Sequence, residues 1–113
     1  MPQHVLNRTI TQVAIDQSGA GTTDLVAAPG AGLRIYVVVL VVTLSAAGTI
    51  RFTEGTGPTN LTGDMPLATG GGFVVLGDGY NPILQTNTAN SKLSIVSATG
   101  FADGYLRYFV APD

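Results

Sequence analysis

Ile35-Tyr36-Val37-Val38-Val39-Leu40-Val41-Val42 is the stretch of this chain that decides its fold class. Its residues are nearly all β-branched, and such side chains prefer an extended backbone to a helix. The run is too short for a membrane helix, which needs about 20 apolar residues. In a strand, alternate side chains turn to opposite faces. Strict alternation puts Ile35, Val37, Val39 and Val41 on one face and Tyr36, Val38, Leu40 and Val42 on the other. Both faces are apolar, so both need cover. Either the strand lies between layers within one protomer, or a second subunit buries one of its faces. On the second reading, Tyr36, Val38, Leu40 and Val42 are the candidate oligomer interface.

The rest of the chain is punctuated in the manner of an all-β protein. Short apolar or alternating runs are broken by Gly, Pro, Asn and Asp at close intervals, and no segment carries a helical stripe. Strands are expected at Thr9 to Asp16, Thr23 to Ala28, Leu33 to about Leu44, and Thr49 to Glu54. Further strands are expected at Asn60 to Leu67, Phe73 to Leu76, Lys92 to Ser97 and Gly104 to Val110, with a brief pairing at Ile83 to Thr86. Ile50, Phe52, Leu93 and Ile95 should point inward, and Arg51 and Thr53 outward. Pro66 cannot donate a ladder hydrogen bond, which places its strand at an edge or bulge. The expected architecture is an antiparallel β-sandwich, jelly-roll-like, of about eight strands. Residues 1–8 read as an N-terminal arm and 9–113 as a single sandwich domain.

Composition narrows the function. At 113 residues there is chain for one core. Only 11% of residues are charged, against about 25% in ordinary globular proteins. A surface with so few solvated groups suits a molecule that hides area in an assembly. The formal net charge is -2. Arg8, Arg34, Arg51, Lys92 and Arg107 are scattered singly, so no basic stripe exists to neutralise a run of phosphates, and nucleic acid is not an expected partner. The absence of cysteine removes disulfides, thiolate metal sites and cysteine nucleophiles. Met1 to Arg8 lacks the apolar core of a signal peptide, and no membrane segment is expected.

Catalytic chemistry finds little to work with. His4 is the sole histidine and lies in the arm, without a partner to make it a general base. One histidine cannot build the metal site of a cupin-type sandwich. No Gly-x-Ser-x-Gly frames any serine. Asp64 and Asp78 sit beside glycines, where Asp suits a turn, and the ligand spacing of a calcium loop is missing. Gly19-Ala20-Gly21 and Gly70-Gly71-Gly72 lack the Lys-Ser/Thr of a phosphate loop. Tyr80, Tyr105 and Tyr108 are the candidate aromatic platform for a sugar, but Tyr105 and Tyr108, three apart, should face opposite ways. No catalytic, cofactor or metal site is expected.

The order of features resembles a group of small virion proteins of tailed bacteriophages and prophages. The resemblance is carried by Gly30-Ala31-Gly32-Leu33-Arg34-Ile35 leading into the valine-rich strand, and by Thr49-Ile50-Arg51-Phe52 ending at Gly55. It continues through Leu61-Thr62-Gly63-Asp64-Met65-Pro66-Leu67 before the glycine run, then Leu93-Ser94-Ile95 and Gly104-Tyr105-Leu106-Arg107-Tyr108. It spans about Ala14 to Val110, and its motifs are turn and core signatures. Asn81-Pro82 after Tyr80 departs from the aromatic-rich turn usual there. The resemblance implies a jelly-roll-like sandwich made in a bacterial cytoplasm and built into a virion. It further implies a capsid decoration (cement) protein, a homotrimer that binds the major capsid protein or another virion protein. Similar domains occur in tails and fibres, which keeps open a binding module that reads a carbohydrate through Gly55 to Asn60 and Gly77 to Pro82.

Overall fold

The computed structural model describes residues 9–77 and 81–112. The expected arm at 1–8, with His4, and the turn residues Asp78 and Tyr80 lie outside them. The described chain is all-β. Its strands are β1 (Thr11–Asp16), β2 (Gly21–Val26), β3 (Leu33–Leu44), β4 (Gly48–Glu54) and β5 (Thr59–Asn60), then β6 (Met65–Leu67), β7 (Gly72–Leu76), β8 (Leu84–Gln85), β9 (Leu93–Ser97) and β10 (Ala102–Pro112). Two open antiparallel sheets of five strands face each other. Sheet A has the order β1-β10-β3-β7, with β8 also on β3; sheet B has β2-β9-β4-β5, with β6 also on β4.

The ten strands occupy eight positions. β7 and β8 follow each other along one edge of β3, and β5 and β6 along one edge of β4. The Asn60 to Leu67 segment is thus two short strands, interrupted at Leu61 to Asp64. Counted by position, sheet A reads 1-8-3-6 and sheet B reads 2-7-4-5, the strand order of a two-sheet jelly roll. Pro66 lies on edge strand β6 opposite Thr49, where its missing N–H is harmless.

The core is the space between the sheets. Ile35, Val37, Leu40, Val42 and Leu44 enter it from β3, Ile50 and Phe52 from β4, Leu93 and Ile95 from β9, and Ile15 and Leu106 from the flank of sheet A. The β3 residues in that set do not follow simple alternation. The pairing of β3 with β10 steps from Val37↔Tyr108 to Val39↔Arg107, leaving Val38 without a partner. This is a β-bulge, two residues facing one, and it swaps the faces of everything beyond it. Tyr36, Val38, Leu40 and Val42 therefore do not share a face. Leu40 and Val42 belong to the core within the protomer, while Val38 joins Phe109 and Ala111 in a second small cluster, with Tyr36 and Val39 packed against it.

Close backbone approach further along the β3–β10 pair, where Gly104 lies opposite Val42, requires glycine. Gly104 has φ +147, and a Cβ there would overlap the Val41 carbonyl. An L-residue is strained in that conformation even with room to spare.

Two buried polar side chains tie the sheets together at opposite ends. Gln17 Oε1 accepts from Ser97 Oγ and Ala102 N, both at 2.9 Å, while its Nε2 donates to Gly21 O at 2.9 Å and Thr23 Oγ1 at 3.2 Å. At the other end Glu54 accepts from Asn87 N at 3.1 Å and Thr88 N at 2.9 Å. Each clamp is satisfied by several donors or acceptors, as a buried polar group must be.

Thr53 departs from the expected solvated position. It is 1% exposed, at the centre of sheet B between Ser94 and Asn60. Its hydroxyl has no hydrogen-bond partner among the described residues.

This packing fixes the expected effect of three substitutions. Leu40→Lys should cost more than about 4 kcal/mol, since it places a charge in the core. Val39→Lys should cost about 1 kcal/mol or less, because a lysine stem can lie along the outer face. Equal losses in urea unfolding would contradict the bulge. Thr53→Val removes an unsatisfied hydroxyl at nearly constant volume, and should raise stability by about 1 kcal/mol in the same measurement.

Candidate interaction surface

The outward residues of sheet A form rows across its strands. Ala14, Tyr105, Val41 and Val74 make one row, and Gln12, Arg107, Val39 and Leu76 the next. Beyond the bulge, Phe109 pairs with Tyr36, and their rings stack at 5.0 Å between centroids. Arg107 lies 5.8 Å from the Tyr105 ring centroid and donates through Nε to Gln12 Oε1 at 3.0 Å. The far end of the face is polar, with Asp16, Asp103 and Thr43 in register.

The part of this face contributed by β3 and β7 is apolar in its middle rows and becomes more exposed toward β7. Val39 and Val41 are half-buried, whereas Val74 is 60% and Leu76 72% exposed. Beside them, at the rim where β7 and β8 meet the edge of sheet B, a half-open cavity of about 160 Å³ enters the core. Leu40, Phe52, Met65, Phe73, Val75 and Ile83 help to line it, and Thr62, the polar residue of the lining, has its hydroxyl engaged already, accepting from Phe52 N and donating to Gly63 O. The cavity thus suits an apolar group.

Of the four residues expected at an interface, the structure leaves Tyr36 half-buried on the outer face and buries Val38 beside it, while Leu40 and Val42 point away into the core. Among the described residues, the most exposed large apolar side chains are instead Val74 and Leu76. Their signal in the sequence is a strand, Phe73 to Leu76, with neither charge nor proline and a glycine at each end.

Other candidates resolve into structural roles. Asp64 forms an ion pair with Arg51 at 3.3 Å. Tyr108 packs against the core while Tyr105 faces outward, so they do not form one platform. Ser94 and Ser97 donate to Asp24 and Gln17. No cluster of three or more His, Asp or Glu suited to a metal ion occurs among the described residues, nor does any helix long and apolar enough to cross a membrane. Comparison with protein families, with curated proteins and with solved structures produced no match to this chain.

The outer face of sheet B is polar by contrast. Lys92 Nζ donates to Asp24 Oδ2 at 3.1 Å and Ser94 Oγ to Oδ1 at 2.9 Å. The Lys92 hydrogen bond, then that of Ser94, holds the Asp24 carboxyl below its ordinary value of 3.8. A depressed carboxyl stabilises the fold above its unfolded value, and that contribution disappears as pH falls through the folded one. Lys92→Ala should therefore move the Asp24 titration midpoint, followed by carboxyl NMR shifts, back up toward 3.8.

Proposed function

We propose that this chain is a non-enzymatic structural protein of a bacteriophage virion, a capsid decoration (cement) protein that associates with itself and with the major capsid protein or another virion protein. It is made in the bacterial cytoplasm and acts on the assembled particle. The resemblance of its turn and core motifs supports the virion role and favours a trimer. The observation that carries self-association is the exposed apolar margin of sheet A at Val74 and Leu76, in a chain with only 11% charged residues.

The energetics favour covering that margin. Full burial of one valine or leucine side chain contributes about 1.5–3 kcal/mol. Contiguous exposed apolar surface on a soluble protein marks contact sites or an aggregation hazard. A symmetric assembly removes the hazard on every copy at once. The alternative is a tail- or fibre-associated module that binds a carbohydrate or another virion protein.

Light scattering coupled to size exclusion, together with binding to shells assembled without the protein, tests the proposal. The expected result is a homo-oligomer that binds such shells saturably and raises the temperature at which they open. A monomer that ignores shells but gives a specific glycan-array hit would replace this reading with the tail-module one.

A further inference from the structure

The sheet edges of this molecule are not alike. β1 carries Asp16, and β2 carries Asp24 with a pairing irregularity beside it. β6 contains Pro66, and β5 and β8 are two residues long. Charge, proline, bulges and shortness are the usual protections of an edge against pairing with another chain. β7, Gly72-Phe73-Val74-Val75-Leu76, has none of them. It is an edge strand of sheet A, and Val74 and Leu76 on it are the most exposed of the large apolar residues.

The hydrogen-bonding phase of that edge follows from its two ends. Leu44 N donates to Gly71 O at 2.9 Å, and Gly77 N donates to Val38 O at 2.8 Å. Antiparallel pairs alternate between bonded and non-bonded, so Phe73 and Val75 bond toward β3. Gly72, Val74 and Leu76 direct their N–H and C=O groups at the free side.

We infer that β7 pairs with β7 of a second copy, antiparallel, about a twofold axis at Val74. Three features favour a second copy as the occupant. A centre at Val74 matches all three outward residues at once, setting Val74 against Val74 and Gly72 against Leu76 of the other copy. The long Leu76 side chain then meets a glycine, which leaves it room. The strand carries no charge, so the self-pairing sets no like charges opposite one another within the paired strands. Phe73 and Val75 of each copy would also meet on the core side, next to the mouth of the half-open cavity, which Phe73 and Val75 help to line. One contact thereby covers the edge, the exposed apolar pair and the cavity rim.

The contact strip is short, about 17 Å for five residues. It falls at the small end of specific interfaces, below about 1,200 Å² in total, so pairing should depend on concentration and be favoured where copies are crowded. The inference rests on the proposed self-association but adds a twofold contact, one distinct from any threefold contact that builds a trimer.

Cysteine cross-linking of the full chain tests it directly, because the protein has no cysteine of its own. In a bonded antiparallel pair the Cα atoms are about 5.5 Å apart, within the range of about 4.4–6.8 Å that a disulfide spans. Val74→Cys should therefore form disulfide-linked dimers under mild oxidation. In the same arrangement Leu76 lies about 14 Å from its own copy, and Leu76→Cys should cross-link about tenfold more slowly or less. Val74→Lys should abolish dimers while leaving the thermal midpoint of the dilute protein unchanged, and the Val74 and Leu76 amides of the unmodified protein should gain hydrogen-exchange protection with concentration. Cross-linking of Val74→Cys no faster than Leu76→Cys overturns the pairing. If the protein still binds empty shells in that case, decoration stands without the twofold contact. Cross-linking without shell binding upholds the pairing and removes decoration.

Discussion

Strand β3 has to be covered along both edges and on both faces, and most of the molecule is arranged to do so. Its edges are taken by β10 on one side and by β7 and β8 in turn on the other. Its inner face is buried by sheet B. On its outer face Val38 is covered within the protomer, in a cluster with Phe109 and Ala111, while Val39 and Val41 are only half-buried. A twelve-residue strand with apolar side chains in both directions is costly to leave wet. The asymmetry of its cover is what gives sheet A its apolar margin.

The sandwich was largely legible in the sequence because its signals are local. Turn residues bracket each strand, and the polar-apolar alternation of Thr49 to Glu54 and Lys92 to Ser97 correctly sends Ile50, Phe52, Leu93 and Ile95 into the core. The bulge at Val38 was not legible, for a physical reason. In a valine-rich run, inner and outer positions carry similar side chains, so a change of phase leaves no mark. The phase is recorded only on the partner strand, where Leu106 and Tyr108 face inward across from Leu40 and Val37. Thr53 misled in the opposite way: a polar residue at an outward position implies water, but the middle of a sheet can bury a small hydroxyl beside Ser94. Gln17, placed in a loop by its glycine-rich surroundings, is a clamp whose partners lie as far away as Ala102, beyond any local pattern.

The place of the exposed apolar margin was not legible in the sequence. A deficit of charge carries no address. Locating the margin required knowing that β7 is an edge strand and that Val74 and Leu76 on it are exposed. The same rim holds both split positions, β5 with β6 and β7 with β8, and the apolar cavity between them. One side of the sandwich is therefore less completely closed than the side formed by β1 and β2, where Gln17 fastens the corner.

The unpaired Val38 also bears on how the chain finds its fold. A homogeneous valine ladder invites slippage, because sliding by two residues preserves which way every side chain points and sacrifices little contact. The extra residue defeats such near-miss alignments, since it must fall opposite the Arg107–Tyr108 step, while only Gly104 can lie against the Val41 carbonyl. A shifted strand would lose both fits together. The irregularity thus acts as a detent, singling out one alignment from several that hydrophobicity alone would leave nearly equivalent.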